Sequence, residues 1–189
     1  TFAGNGAALA YDLASATPDV PVRRFDNVSG FRVAISGSRA VVAGLTGKTH
    51  VFDLTTHSDQ PEFVLNKAGL DFSIAGNVVV IGDPYDDTVD TDAGAIYIYD
   101  LAGATPLLPI RTYRGNGRSD RFGYSVSVST KYVIAGRPFG SNSGFPGTAY
   151  VIDLTHHPAS TPVSLDVADA AFTDSIGWSV AVSGNRVVL

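Results

Sequence analysis

The chain has 189 residues, 44% hydrophobic and 16% charged, a balance that supports a sizeable buried core and excludes a disordered chain. Its formal net charge is -5 with no block of Lys or Arg, which argues against nucleic acid as a partner, and no apolar run reaches the ~18 residues of a membrane span. The lack of Cys excludes disulfides and Cys-ligated zinc or iron, while the lack of Met and the opening Thr1 point to a piece of a longer translated chain.

No window sustains a 3.6-residue apolar period. Short period-2 and β-branched runs alternate instead with Gly, Asn, Asp and Pro, so the chain is expected to be all-β. Four kinds of run recur in fixed order, here named A to D. The chain enters on a C run at Gly6 to Leu13 and a D run at Pro21 to Phe25. A complete unit follows, with A at Phe31 to Ser36, B at Arg39 to Ala43, C at Lys48 to Leu54 and D at Pro61 to Leu65. The next has A at Leu70 to Ala75, B at Asn77 to Ile81, C at Gly94 to Leu101 and D at Pro109 to Tyr113. The third has A at Tyr124 to Ser129, B at Lys131 to Ala135, C at Thr148 to Leu154 and D at Pro162 to Leu165. The chain closes on A at Trp178 to Ser183 and B at Arg186 to Leu189.

Local chemistry explains this register. Ser36-Gly37-Ser38, Ala75-Gly76-Asn77 and Ser183-Gly184-Asn185 join A to B, where a two-residue hairpin needs positive φ. Each D run opens with Pro, at 21, 61, 109 or 162, and Pro cannot donate to a ladder, so D belongs at a sheet edge. Each C run ends in Asp-Leu, at Asp12, Asp53, Asp100 and Asp153, which are expected to cap turns. Val, Ile or Phe occupies positions 33, 35, 72, 74, 126, 128, 180 and 182, expected to fill the layer between repeats. Aligned glycines at Gly30, Gly69, Gly123 and Gly177 recur at propeller-like spacing. A repeated four-stranded meander buries both faces only by stacking on its neighbours, so a β-propeller of four-stranded antiparallel blades is expected. The single propeller domain, 1–189, divides into a half-blade 1–25, blades 26–65, 66–113 and 114–165, and a half-blade 166–189.

The motifs Asp120-Arg121-Phe122-Gly123-Tyr124-Ser125-Val126, Ile176-Gly177-Trp178-Ser179-Val180 and Gly82-Asp83-Pro84-Tyr85-Asp86-Asp87 resemble the FG-GAP repeats of integrin α-like propellers, especially the bacterial secreted members. The likeness spans nearly the whole chain and is weaker in the first complete unit, where Ser29-Gly30 replaces Phe-Gly and Gly44-Leu45-Thr46 replaces Gly-Ala-Pro. It implies an extracellular or cell-surface propeller, usually of seven blades, used for adhesion and for binding a protein or other ligand rather than for catalysis. The calcium loop that such repeats often carry between A and B has no counterpart here.

Among polar clusters, Asp83, Asp86, Asp87, Asp90 and Asp92 place five carboxylates in one B to C loop, a potential Ca2+ site because calcium prefers hard oxygen ligands. The competing reading is a solvated acidic loop with Asx turns, dispensable for folding because the matching loop 137–147 has no acid. His50 aligns with Leu9, Tyr97 and Tyr150 at a packing position, and His57 and His157 align in turns; His156-His157 could bind a metal only adventitiously. Phe31, Tyr124 and Trp178, with Leu70, share one register at the start of A, and read either as a ligand-stacking platform at one rim or as aromatic wedges between blades. Asn27-Val28-Ser29 is a glycosylation sequon if the chain is secreted by a eukaryote.

No nucleophile elbow, Walker loop, HExxH or CxxC is present, and Asp71 is the one acid at the aligned A positions 32, 71, 125 and 179. The expected function is therefore a non-enzymatic extracellular binding or adhesion propeller with no cofactor beyond Ca2+. The alternatives are a building block of a larger assembly, associating through its terminal half-blades, and a carbohydrate-acting enzyme. Joining the ends would complete a fourth blade, but an apolar run at the last residues favours a fragment of a larger ring or a repeated assembly.

Overall fold

The computed structural model describes residues 6–26, 28–44, 47–56, 58–139, 145–155, 161–171 and 174–189, with backbone alone for 29–31. Its described residues form sixteen β-strands and no helix, in two compact units, Thr1–Ala68 and Gly69–Leu189.

In the first unit, β1 (Ala7–Tyr11) and β2 (Pro21–Asp26) form an antiparallel hairpin. Strands β3 (Val28–Ser36), β4 (Arg39–Gly44), β5 (Thr49–Asp53) and β6 (Phe63–Leu65) form a four-stranded meander. The second unit repeats that meander twice. The first copy is β7 (Asp71–Ala75), β8 (Val78–Asp83), β9 (Ala95–Asp100) and β10 (Arg111–Arg114). The second is β11 (Val126–Val128), β12 (Tyr132–Arg137), β13 (Thr148–Asp153) and β14 (Val163–Leu165). A final hairpin pairs β15 (Ala181–Ser183) with β16 (Arg186–Val188).

The sequence signals act where they were read. The loops Gly37-Ser38, Gly76-Asn77 and Gly184-Asn185 close tight hairpins, and the positive φ falls on the glycine, at 55°, 59° and 56°, the first central position of a type II′ turn. Each D strand lies at the end of its sheet order, but only β2 opens on its Pro; β6, β10 and β14 begin one or two residues after Pro61, Pro109 and Pro162, because Pro cannot donate to the ladder. The aspartates ending the C strands each accept a hydrogen bond from the backbone N–H two residues on: Asp12 from Ala14, Asp53 from Thr55, Asp100 from Ala102 and Asp153 from Thr155. These Asx turns end each C strand and start the return to D.

Sheets stack through an apolar layer with polar pins. In the second unit Val80, Ile96 and Ile98 of one sheet meet Val126, Val128, Val133, Ala135 and Ile152 of the next. Each fully buried Val or Ile contributes about 1.5–3 kcal/mol. Along the inner strands, side chains satisfy the neighbouring strand's backbone: Asp71 accepts from Val126 N–H at 2.9 Å, Ser73 from Val128 N–H at 3.0 Å and Ser127 from Val182 N–H at 3.0 Å. The Asp71 carboxylate is thus engaged in fastening two sheets. A backbone contact of a different kind accounts for β11 beginning two residues later than its period-2 pattern: Gly123 and Tyr124 both donate to Gly136 O, which pinches the start of the strand.

One expectation is corrected. Phe72, Ile74, Val126 and Val128 lie in the buried layer, but Val33 and Ile35 are 63% and 67% exposed. They stand opposite the two-stranded β1–β2 sheet, which among the described residues places no further strand over them.

Candidate functional site

The rim at the start of the inner strands in the second unit gathers five side chains from three repeats. Tyr124 and Trp178 are separated by 4.8 Å between ring centroids, and Phe139 closes the cluster at 5.5 Å from Tyr124 and 5.6 Å from Trp178. The angles, 48° to 78°, are tilted and edge-on packing, the arrangement that ring quadrupoles favour. Trp178 remains 52% exposed, so the cluster is a surface feature and not a wedge sealed between sheets.

Arg121 extends the stripe. Its guanidinium lies 4.9 Å from the Phe139 ring and 5.4 Å from the Tyr85 ring, within cation–π reach of both. An ion pair with Asp92 at 3.7 Å adds little, since both side chains are about a third exposed and solvent screens them. Arg121 adopts φ 49°, uncommon for a residue with a Cβ. Its N–H donates to Asp92 O at 2.9 Å, its carbonyl accepts from Tyr124 N–H at 3.1 Å, and the adjacent Gly123 has φ 84°. The Asp120-Arg121-Phe122-Gly123 turn thus holds the guanidinium at the rim. Ser175 and Gly177 repeat it with φ 50° and 87°, bringing Trp178 to the same level.

Beneath the stripe, Asp120 is fully buried and receives Arg137 Nη2 at 2.6 Å. Burial opposes the charge on Arg137 more than any other single influence. Its hydrogen bonds to Asp120 and Tyr150, with their Coulomb attraction, together outweigh that cost and raise its pKa above the ordinary value.

Two of the three expected platform residues, Tyr124 and Trp178, are in contact; Phe31 has a side chain outside the described residues. Tyr85, Arg121 and Phe139 were not foreseen as site residues. A signal existed: Asp83-Pro84-Tyr85 and Arg137-Pro138-Phe139 are matching exits from strand B, and in both a buried Pro is followed by the aromatic. Proline fixes φ and cannot continue the ladder, so each aromatic leaves the sheet at the rim.

The acidic loop does not gather its carboxylates. Asp86 is buried, accepting from Tyr97 Oη and from Thr88 N–H. Asp87 accepts from Asp92 N–H at 2.7 Å, Asp90 from Thr91 N–H at 2.7 Å, and Asp92 pairs with Arg121. Among the described residues no group of three His, Cys, Asp or Glu side chains is placed to hold a metal ion. The physical reason is competition: short Asp side chains in a tight loop bond the nearest backbone N–H groups. The loop's carbonyls carry its structural role, since Thr91, Asp92 and Ala93 accept from Ser119, Arg121 and Phe122 and fasten the next sheet's turn. Asp86 therefore differs from the other four acids, and the expectation that all five are dispensable for folding does not extend to it.

His50 is partly buried and packs edge-on to Phe52 at 6.1 Å, as its alignment with tyrosines implied. Burial, reinforced by Lys48, lowers its pKa. His57, His156, His157 and the sequon Asn27 lie outside the described residues.

No protein-family model matches this sequence, and no curated protein does. Solved structures do match. A chain of the Mitotic Checkpoint Complex crystal structure aligns at TM-score 0.58 with 15% identity over 94% of this chain and 50% of its own. The computationally designed Ika4 protein aligns at 0.52 with 16% identity, covering 83% of this chain and 81% of that one. BamB from Moraxella catarrhalis aligns at 0.52 with 13% identity, covering 97% and 48%. With its repeated four-stranded antiparallel sheets, the chain has a β-propeller fold. It spans about half the length of the Mitotic Checkpoint Complex and BamB chains that it matches. Among the described residues no helix is long and apolar enough to cross a membrane.

Proposed function

We propose that the chain is a non-enzymatic binding propeller of the extracellular or cell-surface kind, akin to FG-GAP repeat proteins, and that a protein or glycan ligand rests on the Trp178 rim. The observation that carries this reading is the contact cluster of Tyr124, Phe139 and half-exposed Trp178, continued by Arg121 between two rings. A packed core does not require aromatic surface turned to water, whereas Trp, Tyr and Arg are the residue types that dominate binding energy at interfaces. The rigid turn that holds Arg121 lowers the ordering cost of binding. A structural neighbour found within a protein assembly, the Mitotic Checkpoint Complex, supports a binding role.

Trp178 is the sole tryptophan, so its fluorescence reports directly on the rim. Peptide and glycan arrays supply candidate probes, and the strongest is titrated against the wild-type chain, Trp178→Ala and Tyr85→Ala. Binding should shift the emission of the wild-type chain, and in isothermal titration calorimetry, which needs no fluorophore, Trp178→Ala should weaken affinity at least tenfold, about 1.4 kcal/mol, with a melting temperature close to wild type. A probe that binds Trp178→Ala as tightly as wild type overturns the proposal.

A further inference from the structure

The Arg121 guanidinium is held in place, yet it makes no hydrogen bond among the described residues. The Phe139 ring lies 4.9 Å and the Tyr85 ring 5.4 Å from its central carbon. Tyr85 follows β8, Phe139 follows β12 and Arg121 precedes β11, so the arrangement belongs to two complete four-stranded sheets of the second unit. Other arginines use their donors within the fold: Arg23 and Arg111 donate to the carbonyls of Asp53 and Asp153, Arg39 to the Glu62 carboxylate and Arg137 to Asp120. For Arg121 the nearest carboxylate oxygen, Asp92 Oδ2, stands at 3.7 Å, beyond hydrogen-bond distance, and Nε is buried without a partner. With Nε enclosed and the side chain 32% exposed, the edge that a ligand reaches is Nη1 and Nη2.

A guanidinium presents its N–H groups in a planar fork that fits the two oxygens of a carboxylate, and it is weakly hydrated, so contact with rings leaves its donors available. The turn at φ 49° and the two rings set its orientation before any ligand arrives, which lowers the ordering cost of binding. Asp92 supplies charge to this edge and not bonds: its carbonyl accepts from Arg121 N–H at 2.9 Å, while its carboxylate stops at 3.7 Å. Charge selects among anions. A phosphate brings about -1.5 to -2 charges at neutral pH, more than a lone guanidinium balances beside Asp92 and exposed Asp87 and Asp90, whereas a carboxylate carries a single charge. Ring geometry selects among carboxylates. Tyr124, Phe139 and Trp178 meet at 48° to 78°, which gives edges and notches that take separate side chains and no continuous flat face for a sugar ring to lie on.

We propose that Arg121 is a carboxylate-binding subsite and that it takes an Asp or Glu side chain of a partner protein, with a neighbouring apolar side chain of the same segment against Phe139 and Tyr124. The inference rests on the reading of this rim as a binding surface and deepens it. It names an acidic peptide segment as the ligand, Arg121 as the residue that selects it, and Asp92 as the internal carboxylate that competes for the same edge.

The probe is an array of random peptides tethered through their C-termini, so that every carboxylate on it belongs to a side chain, read with the 189-residue chain and its variants. Peptides retained by the wild type should be enriched in Asp or Glu next to an aromatic or aliphatic residue. The strongest is then made in solution with each acid replaced by its amide, and calorimetry should show affinity falling about tenfold or more, as it should for Arg121→Gln with the unchanged peptide. Arg121→Lys, which keeps the charge and loses the fork, should recover only part of that loss. Asp92→Asn removes the competing carboxylate and should tighten binding about two- to fivefold, a gain that a misfolded variant cannot produce. Retained peptides without acidic enrichment, or an amide peptide bound as tightly as its acid, overturn the carboxylate subsite and leave the rim reading standing. Acidic glycans held through Arg121 on a glycan array, with no acidic peptide held, overturn the peptide ligand. A chain that retains neither peptides nor glycans overturns both the subsite and the rim reading.

Discussion

Replacing Gly123 or Gly177 by Val probes the closest approach between repeats. Both have positive φ, 84° and 87°, where a β-branched residue is strained by about 1–3 kcal/mol. A Cβ on Gly123 would lie 2.5 Å from Ala95 O and 2.8 Å from Ile96 Cγ2; on Gly177 it would collide with Thr148 O. A carbonyl in a ladder cannot swing aside as a side chain can, so the turn must lift from the neighbouring sheet. That movement stretches the bonds from Gly123 N to Gly136 O and from Phe122 N to Ala93 O, now 2.9 and 3.0 Å. Losing one such buried bond adds about 1–3 kcal/mol, for a total of about 2–6 kcal/mol. Gly184 separates the two causes, because it too has positive φ, 56°, but nothing lies within 4 Å of its added Cβ. Gly184→Ala should therefore cost only about 1 kcal/mol. Changes at His57 and His157, which align with each other in the sequence repeat, should stay within about 0.5 kcal/mol. Urea midpoints, with slopes checked for constancy, give the comparison. If Gly177→Val unfolds no more readily than Gly184→Ala, the close-approach reasoning is wrong.

Within the acidic loop, Asp86→Ala should cost about 1–3 kcal/mol because Tyr97 Oη loses its buried acceptor, whereas exposed Asp90→Ala should be near neutral. Calorimetry with Ca2+ and then EDTA should leave both values unchanged; an EDTA-induced loss of stability would mean that a cation holds the loop. His50 predicts a pH dependence. Its folded pKa is depressed by burial and by Lys48, so the unfolded chain takes up a proton more readily, beginning near its ordinary value of about 6.5. Its contribution to stability is fully present above that value and is lost as pH falls through the window towards the folded pKa. His50→Tyr, the residue found at two of the three matching positions, should remove that slope between about pH 7 and 5 in urea midpoints.

The sequence alone determined the strand order, the hairpin turns, the edge strands and the capped C-strand ends. Each rests on interactions within a few residues: Gly taking positive φ at Gly37, Gly76 and Gly184, Pro withholding a donor, and Asp12, Asp53, Asp100 and Asp153 bonding two residues ahead. The shared register of Tyr124 and Trp178 was legible for the same reason, because both follow a repeated turn. Only the tertiary structure decided that Phe139 completes their cluster and that Arg121 lies between Phe139 and Tyr85, since those contacts join residues far apart in sequence, two of them across repeats. It likewise gave Asp86, Asp87, Asp90 and Asp92 separate partners, because loop geometry, not proximity in sequence, sets which N–H or cation a carboxylate meets. Val33 and Ile35 carry the alternation of buried strand residues and are nevertheless exposed, because a period-2 pattern specifies which face of a strand is apolar and burial requires another sheet to cover it.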